Sequence, residues 1–325
     1  MSDRRTALQE GLVRLIEEGK EIVCVSVDSA SRFKKVRDRY PRRVVECGIC
    51  EQAGMGICAG IALQGLTPVI SGYATFLTMR AFEQIRTDIC RWSLNVKICS
   101  TDTGFSAQYA GFTHQALEDI AILFALENIV ICEPCDYEDT LLMVRYLLGE
   151  FQGPVYMRFG ARGGEENFLE KHRDVQMGYF EPLSAETLSG SLDVVIIALG
   201  QLVGVGMEVV ERLERRGYRA FLYNARFVKP LAVDMLQEMA RATSLIVTLE
   251  EHSRVGGLGD ALWRSFQEFG RVPGLLKFGA LSNFGFSGKR AALLQKCGLH
   301  AQHIEDVIAR TLEGLDAEKT APFLP

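Results

Sequence analysis

The sequence predicts an α/β protein of two consecutive three-layer domains, each built on a mostly parallel sheet. Three observations carry this. Short apolar runs alternate with segments of helical period along nearly the whole chain. Those runs are continuous rather than alternately polar and apolar, as in strands buried on both faces. And 325 residues, 48% of them hydrophobic and 24% charged, suffice for about two domains of ordinary size.

In chain order, Met1-Ser2-Asp3-Arg4-Arg5 opens a charged amphipathic helix without the apolar core of a signal peptide. Strands are expected at Ile22–Val27, Thr67–Ile70, Val96–Cys99, Ile129–Cys132 and Val155–Met157, with helical-period segments between them. Together these give a first domain over residues 1–162. Over residues 163–190 the periodicity lapses into Gly163-Gly164-Glu165-Glu166-Asn167 and other turn-forming residues, which reads as a linker. A second, smaller domain over residues 191–325 follows from strands at Leu192–Ala198, Ala220–Tyr223 and Leu245–Leu249. Helices at Gly204–Arg216 and Leu258–Phe269 lie between them.

Charge and hydropathy narrow the function by exclusion. The net charge is −5 without a basic stripe, so neither nucleic acid nor an anionic membrane surface is an expected partner. No apolar run approaches the roughly 18 residues of a membrane span, so a soluble cytoplasmic protein is expected. Nine cysteines include two C-x-x-C pairs, Cys47 with Cys50 and Cys132 with Cys135, a spacing that binds zinc. Against zinc, Cys50 adjoins Glu51, and Cys132 and Cys135 fall at a strand end and its exit turn. Free cysteine packs as a small hydrophobe, and disulfides are not expected in a reducing compartment.

The strongest chemical signal is the run Glu46-Cys47-Gly48-Ile49-Cys50-Glu51-Gln52-Ala53-Gly54-Met55-Gly56-Ile57-Cys58-Ala59-Gly60-Ile61-Ala62, which places Glu51 at the mouth of an apolar, glycine-rich helix. A helix start attracts a carboxylate through its unpaired N–H groups and positive dipole end. Gly54, Gly56 and Gly60 let another backbone come close, at a cost in helix propensity. Glu51 is therefore either a capping acid on a core helix or a functional carboxylate.

Downstream come Ser71-Gly72-Tyr73-Ala74-Thr75-Phe76, Arg80-Ala81-Phe82-Glu83-Gln84-Ile85-Arg86 and Thr113-His114-Gln115-Ala116-Leu117-Glu118-Asp119-Ile120-Ala121. A strand ending Tyr156-Met157-Arg158 follows, then Glu250-Glu251-His252 before Gly256-Gly257-Leu258-Gly259. In this order and spacing the segments resemble the C-terminal half of transketolases, a pyrimidine-binding domain followed by a transketolase C-terminal domain. Deoxyxylulose-phosphate synthases and the β subunits of 2-oxo-acid dehydrogenases share the acid followed by Gln, but the Thr-His-Gln run is more similar to the first two families. The resemblance implies thiamine diphosphate as cofactor. Glu51 is then the acid that hydrogen-bonds N1′ of the aminopyrimidine, so that the cofactor's imino nitrogen takes the proton from the thiazolium carbon. It also implies Tyr73 and Phe76 as walls of the pyrimidine site, with Phe82 a third candidate for which core packing is the alternative.

The family's diphosphate-binding module carries a Gly-Asp-Gly run and a later Asn that together hold a divalent metal, and no Gly-Asp-Gly occurs here. The expectation is therefore a C-terminal (β) subunit of a split enzyme. An N-terminal diphosphate-binding subunit holds most of the Mg2+ (or Ca2+) site, in an α2β2 assembly whose β chains also self-associate as a dimer.

The substrate end departs from the family. Where transketolases usually have Asp-Gly-Pro-Thr-His, this chain has Ala110-Gly111-Phe112-Thr113-His114. His114, implied to contact the reacting part of the sugar, is kept, while the hydroxyl-reading Asp becomes Ala110 and Phe112 adds apolar bulk. Asp102 falls where many relatives have a phosphate-holding His, and a carboxylate there repels phosphate. Arg158 matches a phosphate-contacting arginine, with a strand-end salt bridge as the alternative. Arg32 follows Asp28-Ser29-Ala30-Ser31, near another phosphate-recognising region. Expected is transfer of a two-carbon ketol unit from a small ketose to an aldose or carrier-bound acceptor other than the ordinary pentose phosphate. The alternatives are a carboligase or a 2-oxo-acid dehydrogenase-like component acting on a carrier-bound thiol, or a catalytically silent regulatory partner.

Overall fold

The computed structural model describes residues 3–160, 167–169, 172–183, 192–270, 272–280 and 286–320. Its strands are β1 (Ile22–Ser26), β2 (Val44–Glu46), β3 (Thr67–Ser71), β4 (Lys97–Thr101), β5 (Val130–Cys132), β6 (Val155–Phe159), β7 (Glu181–Pro182), β8 (Val194–Ala198), β9 (Ala220–Asn224), β10 (Phe227–Lys229), β11 (Leu245–Ser253) and β12 (Gly274–Ala280). They form a seven-stranded sheet in the order β10-β5-β6-β4-β3-β1-β2 and a five-stranded sheet in the order β12-β11-β8-β9-β7. Every pairing is parallel except the antiparallel edge pairs β10 with β5 and β7 with β9. The helices are α1 (Arg4–Glu17), α2 (Lys34–Arg39), α3 (Glu51–Leu63), α4 (Phe82–Gln84), α5 (Asp119–Phe124), α6 (Tyr137–Val144), α7 (Leu202–Arg215), α8 (Val233–Ala242), α9 (Leu258–Glu268), α10 (Arg290–Lys296) and α11 (Ala301–Thr320). Among the described residues, no helix is long and apolar enough to cross a membrane.

The period-2 geometry of buried strands divides the core into layers. In β1, Cys24 joins a cluster with Leu8 and Leu12 of α1 and Met143 of α6, while Val25 joins one with Met55 and Cys58 of α3. In β8, Val194 and Ile196 face α7 and α11, while Val195 and Ile197 enter the same cluster as Val25. One apolar layer is therefore shared by both sheets. Burial of this kind stabilises by roughly 25 cal/mol per Å², so the two sheets are held together by their common core as well as by the chain.

Four strands among the described residues lie outside those the sequence pattern marks: the edge strands β2 and β12, and the two short strands β7 and β10. β10 comes from the second half of the chain yet completes the first sheet. The expected linker 163–190 includes β7, which pairs with β9; residues 163–166, 170–171 and 184–190 of that linker lie outside the described residues. β7 and β10 are two and three residues long, too short for periodicity to register.

Near the linker a buried polar cluster forms. His172 Nε2 lies 2.8 Å from Asp136 Oδ2, and its Nδ1 lies 3.0 Å from Glu181 Oε2. Arg226 donates to Asp139 at 2.6 Å. Asn224 Nδ2 reaches Cys135 Sγ, Asp139 and Glu181 at 3.3, 3.3 and 3.1 Å. The donor atoms of Cys135, Asp136 and His172, and those of Asp139, His172 and Glu181, lie within reach of a shared cation, but these hydrogen bonds already join them. Burial alone would lower the pKa of His172, yet its two carboxylate partners push it up to about 10. A folded-state value above the unfolded 6.5 contributes stability that is full below pH 6.5 and is lost as pH rises through about 10. His172→Gln is therefore expected to flatten the decline in unfolding free energy over that window and to cost about 3 kcal/mol at pH 6, because it leaves buried carboxylates without their cation. Urea unfolding at pH 6, 8 and 10 measures both.

The second C-x-x-C pair does not act as a unit. Cys132 donates to Tyr156 O at 3.6 Å and Cys135 accepts from Asn224, and burial raises both thiols well above their usual range. They are inert core groups. In the first pair Cys47 is half-buried and Cys50 exposed, and all nine cysteines are free.

Candidate functional site

The carboxyl ends of a parallel sheet converge several loops on one crevice, the usual place for a ligand in open α/β folds. At the ends of β1 and β4, Asp28 (φ 70°) and Asp102 (φ 62°) adopt the left-handed region, as does Gln108 (φ 47°) farther along the second loop. Such backbone costs about 1–3 kcal/mol per residue and gathers at functional sites.

Glu51 is the first residue of α3 and only 2% exposed. It does not cap its own helix: among the described residues its hydrogen-bond partner is Arg80 Nη1, 2.7 Å from Oε2. Arg80 ends a π turn, Phe76–Arg80, whose extra residue per turn stacks the guanidinium 4.6 Å over the Phe76 ring. Phe76, Tyr73 and His114 meet edge to face, with centroids 6.0 Å apart for Tyr73 and Phe76, 5.4 Å for Tyr73 and His114, and 5.0 Å for Phe76 and His114. The side chain of Thr113 hydrogen-bonds His114 Nδ1 at 2.9 Å. Arg32 lies 4.7 Å over the far side of this group, on Tyr73. A buried carboxylate, an aromatic wall and an imidazole drawn from residues 51 to 114 thus converge.

Beyond Tyr73 a cleft of about 240 Å³ is lined by Arg5, Ser31, Arg32, Ser71 and Thr101 among others. Arg32 donates to Thr101 Oγ1 and to Val27 O. Arg5 Nη2 pairs with Asp102 Oδ1 at 2.9 Å, and Thr101 Oγ1 donates to Asp102 Oδ2 at 2.9 Å. The Asp102 carboxylate, expected to repel phosphate, has its charge met by Arg5, and the cleft lining carries two arginines, the carboxylate of Asp3 and four hydroxyls. Arg5 went unnoticed in the sequence because nothing local distinguishes it from a charged helix start. Arg80 stands in the sequence only as the first residue of the Arg80-Ala81-Phe82-Glu83-Gln84-Ile85-Arg86 run.

Two expected site residues lie elsewhere. Arg158 is fully buried; its Nε and Nη2 bind Asp119 at 2.7 and 3.1 Å, Nη1 binds Glu133, and Nη2 also reaches Glu251 O at 3.3 Å. These partners make the ion pair that the sequence left as the alternative to phosphate contact. Phe82 packs against the core layer shared by the two sheets, and the rings that meet His114 are those of Tyr73 and Phe76.

The glycine motif after β11 is explained by close approach. A Cβ on Gly257 would sit 2.0 Å from Glu250 Oε2, and one on Gly256 (φ +76°) 2.5 Å from Ala121 Cβ. Without those Cβ atoms Glu250 accepts from the Leu258 and Gly259 amides at 2.7 and 2.9 Å, capping α9, and the turn before α9 passes close to Ala121 of α5. Burial raises the Glu250 carboxyl to about 7.

Comparison with known proteins places this geometry in a wider set. The family description "Transketolase, pyrimidine binding domain" matches residues 1–162, and "Transketolase, C-terminal domain" matches residues 184–304. The chain is 33% identical over 313 residues to a 1-deoxy-D-xylulose-5-phosphate synthase of Heliobacterium modesticaldum, covering 95% of this chain and 47% of that protein. It is 30% identical over 316 residues to a Methanocaldococcus jannaschii protein described as a transketolase C-terminal section, covering 97% of this chain and 96% of that one. It thus spans about half the length of the synthase and nearly all of the section. Among solved structures it is similar to a split-gene transketolase described as an inactive β4 tetramer, with TM-score 0.83, 34% identity and coverage of 96% and 98%. A Pichia stipitis transketolase in complex with sedoheptulose 7-phosphate shares the fold, with TM-score 0.76, 18% identity and coverage of 97% and 46%.

Proposed function

The chain belongs to the thiamine-diphosphate-dependent transketolase family, and on that premise we propose that it is the pyrimidine-side subunit of a split, transketolase-like transferase of two-carbon ketol units. In this reading residues 1–162 form the pyrimidine-binding domain, 191–325 the C-terminal domain, and 163–190 join them. The observation that carries it is Glu51, a carboxylate withdrawn from water and joined through Arg80 to the Phe76 ring, which Tyr73 and His114 adjoin. A heteroaromatic ring bearing a basic nitrogen fits both the carboxylate and the wall, with the half-exposed Arg80 free to turn to solvent when the ring binds.

When bound, thiamine diphosphate supplies a carbon acid that adds to carbonyl groups and carries a two-carbon fragment. Glu51 would share a proton with the pyrimidine ring, and Tyr73 and Phe76 would hold its faces. His114, against those rings, would orient a substrate oxygen. The cleft of Arg5 and Arg32, whose charges are met by Asp102 and Asp28, would offer guanidinium and hydroxyl donors to a polar substrate terminus. The residues for a diphosphate and its metal do not fit here: there is no Gly-Asp-Gly, and the two metal-capable clusters among the described residues sit in the His172 core network. We assign Mg2+ or Ca2+ to an N-terminal partner chain, a reading supported by relatives of matching length described as a C-terminal section and a split-gene product.

The test is calorimetry. The isolated chain, self-associated, is expected to take up little thiamine diphosphate; mixed with its diphosphate-binding partner and Mg2+, it should bind one cofactor per pair in a two-plus-two assembly. Stoichiometric, tight binding by the chain alone would overturn the split-site reading.

A further inference from the structure

His114 lies on a loop that burial does not hold in place. Tyr109 and Phe112 on the same loop are 67% and 55% exposed. The loop is closed at its neck, where Gly104 N donates to Ala116 O at 2.9 Å and Thr103 bridges Ala116. Inside, His114 N donates to Gly111 O at 3.0 Å.

What grips the neck comes from the second half of the chain. Glu251 Oε1 accepts from the Phe105 amide at 2.7 Å. Both Glu251 oxygens are held by Arg290, whose Nε lies 3.1 and 3.0 Å from them, so the carboxylate has one orientation. A Cβ on Gly104 (φ +61°) would meet Glu251 Oε1 at 2.6 Å, so a glycine is needed there for the carboxylate to reach the neck. Three further contacts run the same way: Gln115 Nε2 donates to Phe286 O at 3.0 Å, Ser253 N to Leu117 O at 2.7 Å, and Ala121 N to His252 Nε2 at 3.3 Å. For Nε2 to accept, His252 must be neutral with its proton on Nδ1, which faces Ser253 O at 2.8 Å. Burial, lowering its pKa to about 4, keeps it so.

We infer that Glu251, oriented by Arg290, is a positioning residue for His114: it clamps the neck of the 104–116 loop so that the imidazole rests against Tyr73 and Phe76. The inference rests on the proposed function only in giving His114 a substrate role. Placement matters at this scale, since a shift of about 1 Å in a reacting group costs on the order of a hundredfold in rate. The C-terminal half thereby contributes to the site without lining it.

The chain has five histidines, so selectively labelled imidazole signals can be followed in the intact protein without cofactor or partner, that of His114 being identified by its loss in His114→Gln. Its ring protons are expected to be displaced by the two neighbouring rings. Glu251→Ala should collapse that displacement and raise hydrogen exchange over residues 104–116, leaving the His172, His300 and His303 signals in place. Glu251→Gln, which keeps an oxygen for the Phe105 amide, should retain most of it. An unmoved His114 signal in Glu251→Ala overturns the inference, as does collapse of all five signals together. In the assembly with the partner, kcat should fall about 10- to 100-fold in Glu251→Ala with cofactor affinity unchanged. If His114→Ala is as active as wild type, it is the functional reading of His114 that fails, and the clamp is judged by its signal alone.

Discussion

Glu51→Gln is expected to leave the fold intact and to slow hydrogen–deuterium exchange at the thiazolium carbon of the assembled enzyme by roughly 10²- to 10⁴-fold, the range for loss of a required acid–base group. Gln keeps the shape of Glu and an oxygen for Arg80 Nη1. What disappears is the charge and the ability to share a proton. The stability cost should be small, on the order of 1 kcal/mol, because Arg80 is 47% exposed on its side chain and its charge returns to water. Wild-type exchange in the variant, read by NMR of the quenched cofactor, would reduce Glu51 to a partner for Arg80.

Arg158→Met should do the reverse, destabilising strongly whatever its effect on chemistry. The substitution keeps the apolar stem but strips Asp119 and Glu133 of their cation at the point where the two sheets meet. Burial pushes the Asp119 carboxyl up, yet Arg158 and the Tyr156 hydroxyl hold it below its usual value. Without the guanidinium two buried carboxylates lose their main partner; Arg4, 3.5 Å from Glu133, offsets only part. Breaking one side of a buried ion network costs about 3–5 kcal/mol, and the urea midpoint should fall accordingly. A variant as stable as wild type that has lost only its use of phosphorylated substrates would return Arg158 to the substrate-binding role its position in the motif suggests.

The two arginines show where sequence reading stops. Arg158 falls in a motif and Arg5 in an ordinary charged helix start, and neither position along the chain tells which of the two faces solvent. Arg158 lies on β6 in the middle of a seven-stranded sheet, where a long cation must be paired in place. Arg5 lies at the start of α1, which packs along the same sheet and brings it to the carboxyl ends of the strands beside Arg32. Asp102 reversed its meaning for the same reason. As a bare carboxylate it repels phosphate; paired to Arg5 it orients a cation.

The amino-acid pattern by itself determined the layered α/β class and the succession of buried strands along the chain, and the resemblance to transketolases singled out Glu51, Tyr73, Phe76 and His114. Continuous apolar runs leave few other packings, and the four residues follow strands whose parallel register delivers their ends to one edge. Only the tertiary structure decided which charges are satisfied and which half of the chain holds which loop. The pairing of Arg158 with Asp119 and Glu133, the placement of β10 in the first sheet and the grip of Glu251 on the neck of the His114 loop join residues 25 to 146 positions apart. Hydrogen bonds and ion pairs are short-ranged and directional, and the sequence holds no local trace of a partner that folding alone brings near.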